Sequence, residues 1–302
     1  MTLKEPFAHR DRALQSPHPR AAAGRPAAGS GLPTVFQFSQ QSLQDYVECE
    51  RRFQLRYVMG QRWPAVVSEP VEEYERLMTL GAQFHLLVQR HLLGIPAELL
   101  TPADPNLARW WRAYLEAPPP DLPQQVKQPE VLLSTPVGRH RVLAKYDLLA
   151  IDPGQRIVIV DWKTTHHRPS RQRLEERLQS RMYPFVLVEA GEHLFGGAIA
   201  PEQVTMIYWF AEEPTRPEIF PYSAEQHQEN QVYLSALIAQ ITDLDPAGIW
   251  PLTDDHVQCR YCVYRSLCDR GERAGSLADA DDVDEFTFDF DFDLDQIDEI
   301  AF

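Results

Sequence analysis

Apolar and polar residues alternate along this chain with two different periods, and the change from one period to the other separates helical from sheet-forming stretches. In residues 39–59 and 71–93 the apolar residues recur every three or four positions, which predicts two amphipathic helices. We expect Ser42 and Asp45 to form a capping box in the first of them. Residues 94–127 are rich in proline around Trp110-Trp111, which indicates a helical insertion joined by loops.

After this insertion the apolar pattern takes the two-residue period of strands. Asp152-Pro153-Gly154-Gln155 has its Pro and Gly where a type II turn needs them, and it joins two of these strands. The predicted strands are residues 131–133, 141–151, 156–162, 204–210 and 218–221, and the helices predicted among them are residues 170–188 and 223–244. Strands and helices that alternate about a β-meander predict an α/β fold, in which helices flank a mixed β-sheet.

The chain has 302 residues and a formal net charge of −15, which is unevenly distributed. Residues 279–302 contain many acids and no Lys or Arg, so the rest of the chain is close to neutral and can carry a basic groove. Residues 1–34 are rich in Pro, Ala and Arg, and we expect them to be disordered. No window of the sequence is apolar enough for a membrane span. We therefore expect a soluble, cytoplasmic protein that has no membrane partner.

Two charged residues end an apolar strand in the segment Val158-Ile159-Val160-Asp161-Trp162-Lys163. Side chains alternate across a strand, so Asp161 and Lys163 lie on one face and Trp162 on the other. A carboxylate suits a hard cation such as Mg²⁺, and a neighbouring ammonium can position a water for attack on phosphorus. The segment therefore predicts a hydrolytic site at the end of this strand.

Asp147 lies on the preceding strand and is the second candidate carboxylate. A strict two-residue loop between the strands would place it opposite Val160. Sharing a metal with Asp161 therefore requires an offset of one residue, which we expect from a bulge beside Gly154. The alternative is an exposed hairpin with scattered charges.

The next predicted helix carries polar residues that suit nucleic acid. Gln179 and Tyr183 are four positions apart, hence on one face, where an amide and a phenol could hold a nucleic-acid strand. A second row at this spacing suits backbone phosphates and consists of Arg173, Arg177 and Arg181. The alternative for the row is a solvated face in which Arg171 pairs with Glu175.

The four cysteines predict a metal centre that joins distant parts of the chain. Cys259, Cys262 and Cys268 lie close together, whereas Cys49 lies far upstream. A chain without a secretory signal keeps its thiols reduced, and four thiolates suit zinc or an iron–sulfur cluster. Structural zinc sites usually use two local pairs of ligands, so three local ligands with one remote ligand favour the cluster. Zinc and unligated core cysteines remain the alternatives.

Together these residues resemble the RecB-like branch of the PD-(D/E)XK nuclease superfamily. The resemblance is strongest to its iron–sulfur members, the AddB-type recombination nucleases and the CRISPR-adaptation exonucleases, and covers about residues 36–269. The matching segments, in chain order, are Cys49-Glu50-Arg51-Arg52-Phe53-Gln54-Leu55-Arg56-Tyr57, Gly81-Ala82-Gln83-Phe84-His85, Ala144-Lys145-Tyr146-Asp147, Asp161-Trp162-Lys163-Thr164-Thr165, Gln179 with Tyr183, and the three C-terminal cysteines.

The chain departs from the family pattern at three places. Glu50 stands where a Pro is usual, Ala144-Lys145 where Gly-Arg is usual, and Val263-Tyr264-Arg265 where Pro-Phe-Arg is common. None of these departures removes a candidate ligand or the lysine, so they leave activity in place and substrate preference open.

The resemblance implies a restriction-endonuclease-like fold with a metal-dependent nuclease site. It implies that His85, Asp147 and Asp161 ligate Mg²⁺ or Mn²⁺, helped by the backbone carbonyl of Trp162, and that Lys163 orients the attacking water. Gln179 and Tyr183 would hold the DNA strand in line. A structural 4Fe-4S cluster would be bound by Cys49, Cys259, Cys262 and Cys268.

The expected organisation follows from these motifs. We expect a disordered N-terminal tail in residues 1–34, a helical region with the first cysteine and His85 in residues 35–127, a nuclease core in residues 128–245, a cysteine-cluster segment in residues 246–275, and a disordered acidic tail in residues 276–302.

The expected function is a Mg²⁺- or Mn²⁺-dependent deoxyribonuclease, an exonuclease on single-stranded or frayed DNA ends. It would act in DNA repair, recombination or CRISPR adaptation, with a helicase, a CRISPR-adaptation complex or a single-strand-binding protein as partner. The alternative is a non-catalytic DNA-binding or assembly subunit whose iron–sulfur or zinc site is structural. Asp147, Asp161 and Lys163 argue against it, because a pure binding role does not need them.

The C-terminal residues 284–302 alternate acids with apolar residues and end in Phe302. Such a composition cannot bury a core, so we expect a solvated tail. A second hypothesis is that this tail mimics DNA and occupies the groove, or docks on a partner. Its acidic run with a terminal Phe is similar to the tip of bacterial single-strand-binding proteins.

Overall fold

The structure is a computed structural model and describes residue 32 and residues 36–61, 69–165 and 168–271. Apart from residue 32, the predicted N-terminal tail lies outside these ranges, and so does the whole of the predicted acidic tail. Among the helices of the described ranges, none is both long and apolar enough to cross a membrane. The cytoplasmic location and the division into regions stay predictions.

One mixed sheet of six strands forms the centre of the described part of the chain. The strands are β1 Gln37–Ser39, β2 Val126–Val137, β3 His140–Asp152, β4 Arg156–Lys163, β5 Val204–Phe210 and β6 Glu218–Pro221. Their order is β1-β3-β4-β5-β6, and β2 also pairs with β3. The pairs β1–β3 and β4–β5 are parallel and the others are antiparallel. The predicted mixed sheet flanked by helices is confirmed.

The helices of the described ranges lie on both faces of this sheet. They are α1 Gln40–Glu48, α2 Glu50–Phe53, α3 Glu69–Leu92, α4 Pro105–Glu116, α5 Arg171–Glu176, α6 Leu178–Ala190, α7 Glu192–Phe195, α8 Ala224–Asp243 and α9 His256–Tyr261. A π-helical turn, Gln54–Val58, extends α2. The helical insertion predicted around the two tryptophans is α4, which begins with Pro105 in the first turn, where a missing N–H costs no bond.

Two helices predicted as continuous are each broken by one residue. The helix predicted over residues 39–59 breaks at Cys49, which is extended, with φ −163° and ψ 106°. The helix predicted over residues 170–188 breaks at Arg177, with φ −62° and ψ 140°. The predicted capping box at Ser42 and Asp45 is wrong, because the box joins Ser39 to Ser42.

The sheet separates two apolar clusters, and this arrangement positions the site. The first cluster includes residues of α1, α6 and α8 and fills one face; the second includes residues of α3 and α4 and fills the other. In the second cluster Phe84 of α3 stacks on Trp209 of β5, with ring centroids 5.9 Å apart. Helices α3 and α6 therefore approach β3 and β4 from opposite faces.

Candidate active site

Asp147 and Asp161 lie side by side on β3 and β4. Leu148 pairs with Val160 in the antiparallel ladder, so the next position brings Asp147 opposite Asp161. The Asp147 carboxylate also accepts a hydrogen bond from the Trp162 N–H, at 2.9 Å. The one-residue offset that a shared site requires is therefore present.

This offset is produced by the length of the loop between the two strands. Asp152 pairs with Arg156, so three residues join the strands instead of two. The Gln155 N–H donates to the Asp152 carbonyl at 3.0 Å, and Gly154 has a φ of +71°, as the third position of a type II turn requires. The predicted turn is confirmed. The extra residue next to Gly154, whose φ is positive, corresponds to a G1 bulge and supplies the expected shift of one residue.

Helix α3 brings His85 to these carboxylates. Its Nδ1 lies 3.2 Å from Asp147 Oδ1 and its Nε2 lies 3.1 Å from the Trp162 carbonyl oxygen. One turn earlier, a Cβ atom on Gly81 would lie 3.0 Å from Thr164 Oγ1. The absence of a side chain at Gly81 therefore lets α3 approach the end of β4 closely enough for His85 to reach both partners.

The carboxylates around His85 control its charge. Burial lowers the pKa of His85, but the negative charges of Asp147, Asp161 and Glu130 outweigh it and raise this pKa to about 9. Burial by itself would raise the pKa of Asp147, yet the neighbouring His85 holds that pKa below its usual value. Near neutral pH the His85 side chain is therefore an imidazolium, whose positive charge balances the neighbouring carboxylates.

Asp161, Lys163 and Gln179 form a closed set of polar contacts on the face covered by α6. Lys163 Nζ lies 2.9 Å from Asp161 Oδ2 and donates to Gln179 Oε1 at 3.2 Å. The Gln179 amide group donates in turn to Asp161 Oδ1. The three residues are between 5% and 7% exposed, so this set is held inside the protein with its charges matched. The sequence prediction that Asp161 and Lys163 share one face agrees with these contacts.

Glu130 is a further acidic residue at this site that sequence reasoning missed. Ligand atoms of Glu130, His85 and Asp147 all lie within 4.8 Å of one another. Glu130 Oε2 also lies 2.8 Å from Lys145 Nζ. The sequence signal for it is weak: a single acid beside Pro129, directly before the predicted strand 131–133.

The other predicted nucleic-acid contacts are Tyr183 and the arginine row, and their surroundings differ from those of Gln179. Tyr183 is 8% exposed, and its ring centroid lies 5.1 Å from that of Tyr146 in the first apolar cluster. A straight arginine row does not form, because the helix breaks at its central member, Arg177. Arg181 lies over the ring of Tyr233, at 4.9 Å from its centroid. The alternative pairing of Arg171 with Glu175 is present, at 3.4 Å.

The chain matches a family profile over most of its described length. A profile of the PD-(D/E)XK nuclease superfamily matches residues 37–269. The protein belongs to the PD-(D/E)XK nuclease superfamily. The match includes β1 to β6 and all residues of the candidate site, and the six-stranded mixed sheet is consistent with a restriction-endonuclease-like fold. Members of this superfamily are nucleases that act on DNA and use divalent metals, and His85, Glu130 and Asp147 supply suitable donors.

Solved structures similar to this superfamily member include two proteins of low sequence identity. SSO0001 is 14% identical, with a TM-score of 0.40, and the alignment covers 75% of this chain and 84% of that one. A protein from Eubacterium rectale, provisionally assigned as an exonuclease, is 11% identical, with a TM-score of 0.40, over 68% and 79% of the two chains. Neither likeness bears on function at these TM-scores. No curated protein matches the chain in sequence.

In this nuclease superfamily member, the break at Cys49 lies beside the C-terminal segment. The Arg51 N–H donates to the Pro251 carbonyl at 3.1 Å. Gln54 accepts from the Trp250 N–H at 3.1 Å and donates to the Gly248 carbonyl at 2.5 Å. The two distant pieces of sequence therefore meet through bonds that involve no cysteine.

The four cysteines are free thiols whose charges interact. Burial raises the pKa of Cys259, Cys262 and Cys268, and the charges of neighbouring thiols, that of Cys49 among them, raise it further. Burial is the largest cause of the shift at Cys262, whose pKa is raised to about 11. The charge of Arg52, which is 5% exposed, counteracts it. Four neighbouring thiols beside a buried cation suit a metal centre with anionic ligands.

Proposed function

We propose that the protein is a metal-dependent DNA nuclease, and more specifically an exonuclease that hydrolyses phosphodiester bonds at single-stranded or frayed ends. The observation that carries the proposal is the convergence of His85, Asp147 and the Trp162 carbonyl beside the Asp161–Lys163 pair. This combination of cation donors and a buried ammonium suits hydrolysis of a phosphodiester.

The donor atoms around His85 fit a divalent metal. We propose that His85, Asp147 and Asp161 hold Mg²⁺ or Mn²⁺, helped by the Trp162 carbonyl. A bound cation of this kind supplies stabilisation of the negative charge that develops on a scissile phosphate. The oxygen and imidazole donors are those that such cations accept.

Lys163 is the residue we propose to orient the attacking water. Its ammonium is held by Asp161 and by the Gln179 carbonyl oxygen, so its direction is fixed before substrate binds. An ammonium can donate to a water or to a phosphate oxygen. Fixing the donor in advance favours the transition state, because no reorganisation is needed during the reaction.

Gln179 and Tyr183 were expected to hold the DNA strand in line, and their surroundings support different roles. Because Gln179 contacts both Asp161 and Lys163, we propose that it positions these two groups. For Tyr183 the contact with DNA stays a prediction, and its packing against Tyr146 favours a supporting role beneath the site.

We further propose a structural 4Fe-4S cluster bound by Cys49, Cys259, Cys262 and Cys268. The neighbouring thiols and the buried Arg52 support it. Its role would be to tie α1 and α2 to the C-terminal segment. Zinc is the alternative, and anaerobic purification separates the two: brown colour with acid-labile sulfide supports the cluster, and colourless protein with one zinc per chain refutes it.

The pathway and partners belong to the same proposal. An end-directed DNA nuclease serves DNA repair, recombination or CRISPR adaptation, together with a helicase, an adaptation complex or a single-strand-binding protein. The second candidate is a non-catalytic DNA-binding or assembly subunit. The buried Asp161–Lys163–Gln179 set disfavours it, because DNA binding alone does not require a lysine held beside a carboxylate.

The deciding experiment is cleavage of 5′- and 3′-labelled single- and double-stranded DNA with Mg²⁺ or Mn²⁺. The Lys163→Ala variant should lose cleavage, whereas Lys127→Ala, which changes an exposed lysine of β2, should retain it. The labelled ends report polarity. Folded, cluster-loaded wild-type protein that cuts none of these substrates would favour the non-catalytic subunit.

A further inference from the structure

The pairing between β2 and β3 is interrupted at one position, where Glu130 lies beside Asp147. The pairs on either side continue the same register, so the two residues occupy the same level of the ladder. The backbone of Glu130 has a φ of +56°. Residues with a Cβ atom are unfavourable in this left-handed region, so the surrounding structure must hold Glu130 there.

The interruption also changes which face of the sheet each residue occupies. Tyr146 and Leu149 of β3 both belong to the first apolar cluster, although residues an odd number apart on a regular strand point to opposite faces. Val126 and Val131 of β2 both pack in the same cluster. Both strands therefore reverse their alternation of faces at the same level. Glu130 and Asp147 lie at this level, so the regular alternation does not fix the direction of their side chains.

The Glu130 carboxylate belongs to a compact set of donor atoms. One ligand atom from each of Glu130, His85 and Asp147 lies within 4.8 Å of the other two. Lys145 Nζ contacts Glu130 Oε2 at 2.8 Å, and the Lys145 side chain is 46% exposed while that of Glu130 is 19% exposed. The ammonium can therefore move into solvent while the carboxylate stays at the site.

We propose that Glu130 is a ligand of the divalent cation, together with His85 and Asp147, and that Lys145 is its charge partner when no cation is bound. This inference rests on the proposed function, since it concerns the same cation. With Asp161, already proposed as a ligand, this gives three carboxylates and one imidazole, a donor set that suits Mn²⁺, or Mg²⁺ with additional waters. The competing explanation is a purely structural ion pair between Glu130 and Lys145.

The test is Mn²⁺ binding to the full-length protein, measured from the electron paramagnetic resonance signal of free Mn²⁺. Glu130→Gln should weaken Mn²⁺ binding at least tenfold, since losing even an outer partner of a metal ligand costs about 10- to 100-fold. Lys145→Met should bind Mn²⁺ at least as tightly as wild type. A structural ion pair predicts that neither variant changes Mn²⁺ affinity, and that result would overturn the inference.

Glu130→Gly keeps the test valid if the glutamine variant folds poorly. Glycine adopts positive φ without a Cβ clash, so this variant removes the carboxylate while relieving the backbone. We expect its metal-free melting temperature to equal or exceed that of Glu130→Gln, with the same loss of Mn²⁺ affinity. Wild-type affinity in folded Glu130→Gly would also overturn the ligand role.

The same titration separates this inference from the nuclease proposal. Loss of Mn²⁺ affinity in the Glu130 variants, with no DNA cleavage by wild type, would leave Glu130 as a ligand and remove the nuclease. DNA cleavage by wild type with unchanged Mn²⁺ affinity in the Glu130 variants would support the nuclease and remove Glu130 as a ligand.

Discussion

At the scale of single residues, the candidate site depends on side chains whose charges are matched before any substrate arrives. Asp161 and Lys163 could be placed on one face from the two-residue period of a strand, and Asp147 could be placed beside them by requiring an offset of one residue at the turn. Glu130 could not, because its position depends on a left-handed backbone that only the folded strand pair maintains. Periodicity assumes regular dihedral angles, so it fails at the residue that departs from them.

Gln179 gives the first test of a residue in this set. Gln179→Leu removes the amide that joins Asp161 to Lys163 and leaves Asp161 Oδ1 without that donor. We expect a loss of about 1–3 kcal/mol in the free energy of unfolding, the cost of an unsatisfied buried group. DNA cleavage should fall at least tenfold, since the lysine loses a restraint. Chemical denaturation and a cleavage assay measure the two effects.

The matched control for Gln179 is Gln172→Leu. Gln172 is exposed and bonds to Glu176 on the surface of α5, so its loss should change stability by less than about 0.5 kcal/mol. If Gln179→Leu unfolded and cleaved DNA as wild type does, the positioning role of Gln179 would be refuted.

Gly81 gives a second test, of the space between α3 and β4. Gly81→Ala adds a Cβ atom 3.0 Å from Thr164 Oγ1, which should displace α3 and move His85 from its partners. Better helix propensity offers about 1 kcal/mol and crowding costs about 1–3 kcal/mol, so the free energy of unfolding should fall by at most about 2 kcal/mol. Mn²⁺ affinity should fall severalfold, and calorimetric titration measures it.

Removing the crowding group should reverse the Gly81 effect. The double variant Gly81→Ala with Thr164→Ala has space for the new Cβ atom, so Mn²⁺ affinity should return towards that of Thr164→Ala alone. Gly197→Ala is the control, since a Cβ atom there meets nothing within 4 Å. Equal affinity loss in the single and double variants would show that crowding against Thr164 is not the cause.

At the scale of elements, two helices are interrupted at positions where the apolar periodicity of the sequence continues. Cys49 and Arg177 both lie within periodic apolar stretches, so periodicity predicted single helices across them. At Cys49 the next residue, Glu50, is the first of α2, a position whose N–H has no partner within the helix. In the nucleases that the sequence resembles, a Pro is usual at the position of Glu50. A Pro there would cost no helical hydrogen bond, so either residue can begin α2. The break itself depends on contacts with the distant C-terminal segment, which local sequence does not contain.

Those contacts predict that Gln54 stabilises the junction of α2 with the C-terminal segment. Gln54→Met keeps the side-chain volume but leaves the Trp250 N–H and the Gly248 carbonyl without this partner. Gln54 is 1% exposed, and each unsatisfied buried group costs about 1–3 kcal/mol. We expect a loss of about 2–4 kcal/mol in the free energy of unfolding by urea. Gln172→Met is the surface control, and equal stability of the two variants would contradict the assignment.

At the scale of the whole molecule, the site exists only because both faces of the sheet are covered. His85 arrives on α3 from the second apolar cluster, and Gln179 arrives on α6 from the first. The order of strands and helices made this α/β arrangement predictable, since alternating elements allow few topologies. The short β1 and most of β2 were missed. β1 has only three residues, and β2 contains Pro129 and Pro136, which strand patterns exclude.

The same view of the whole molecule predicts that the sheet and the proposed metal site survive loss of the proposed cysteine cluster. The C-terminal segment is joined to the rest by Gln54, by Trp250 stacked on Phe53 with ring centroids 5.8 Å apart, and by the Tyr264 hydroxyl, which donates to the Gln61 carbonyl at 3.1 Å. Cys268→Ala should therefore lose iron and sulfide and melt at a lower temperature, yet bind Mn²⁺ with wild-type affinity. Ser266→Ala, an exposed change on the same turn, should retain iron. Loss of Mn²⁺ binding together with iron in folded Cys268→Ala would show instead that the two centres are coupled through α1 and α2.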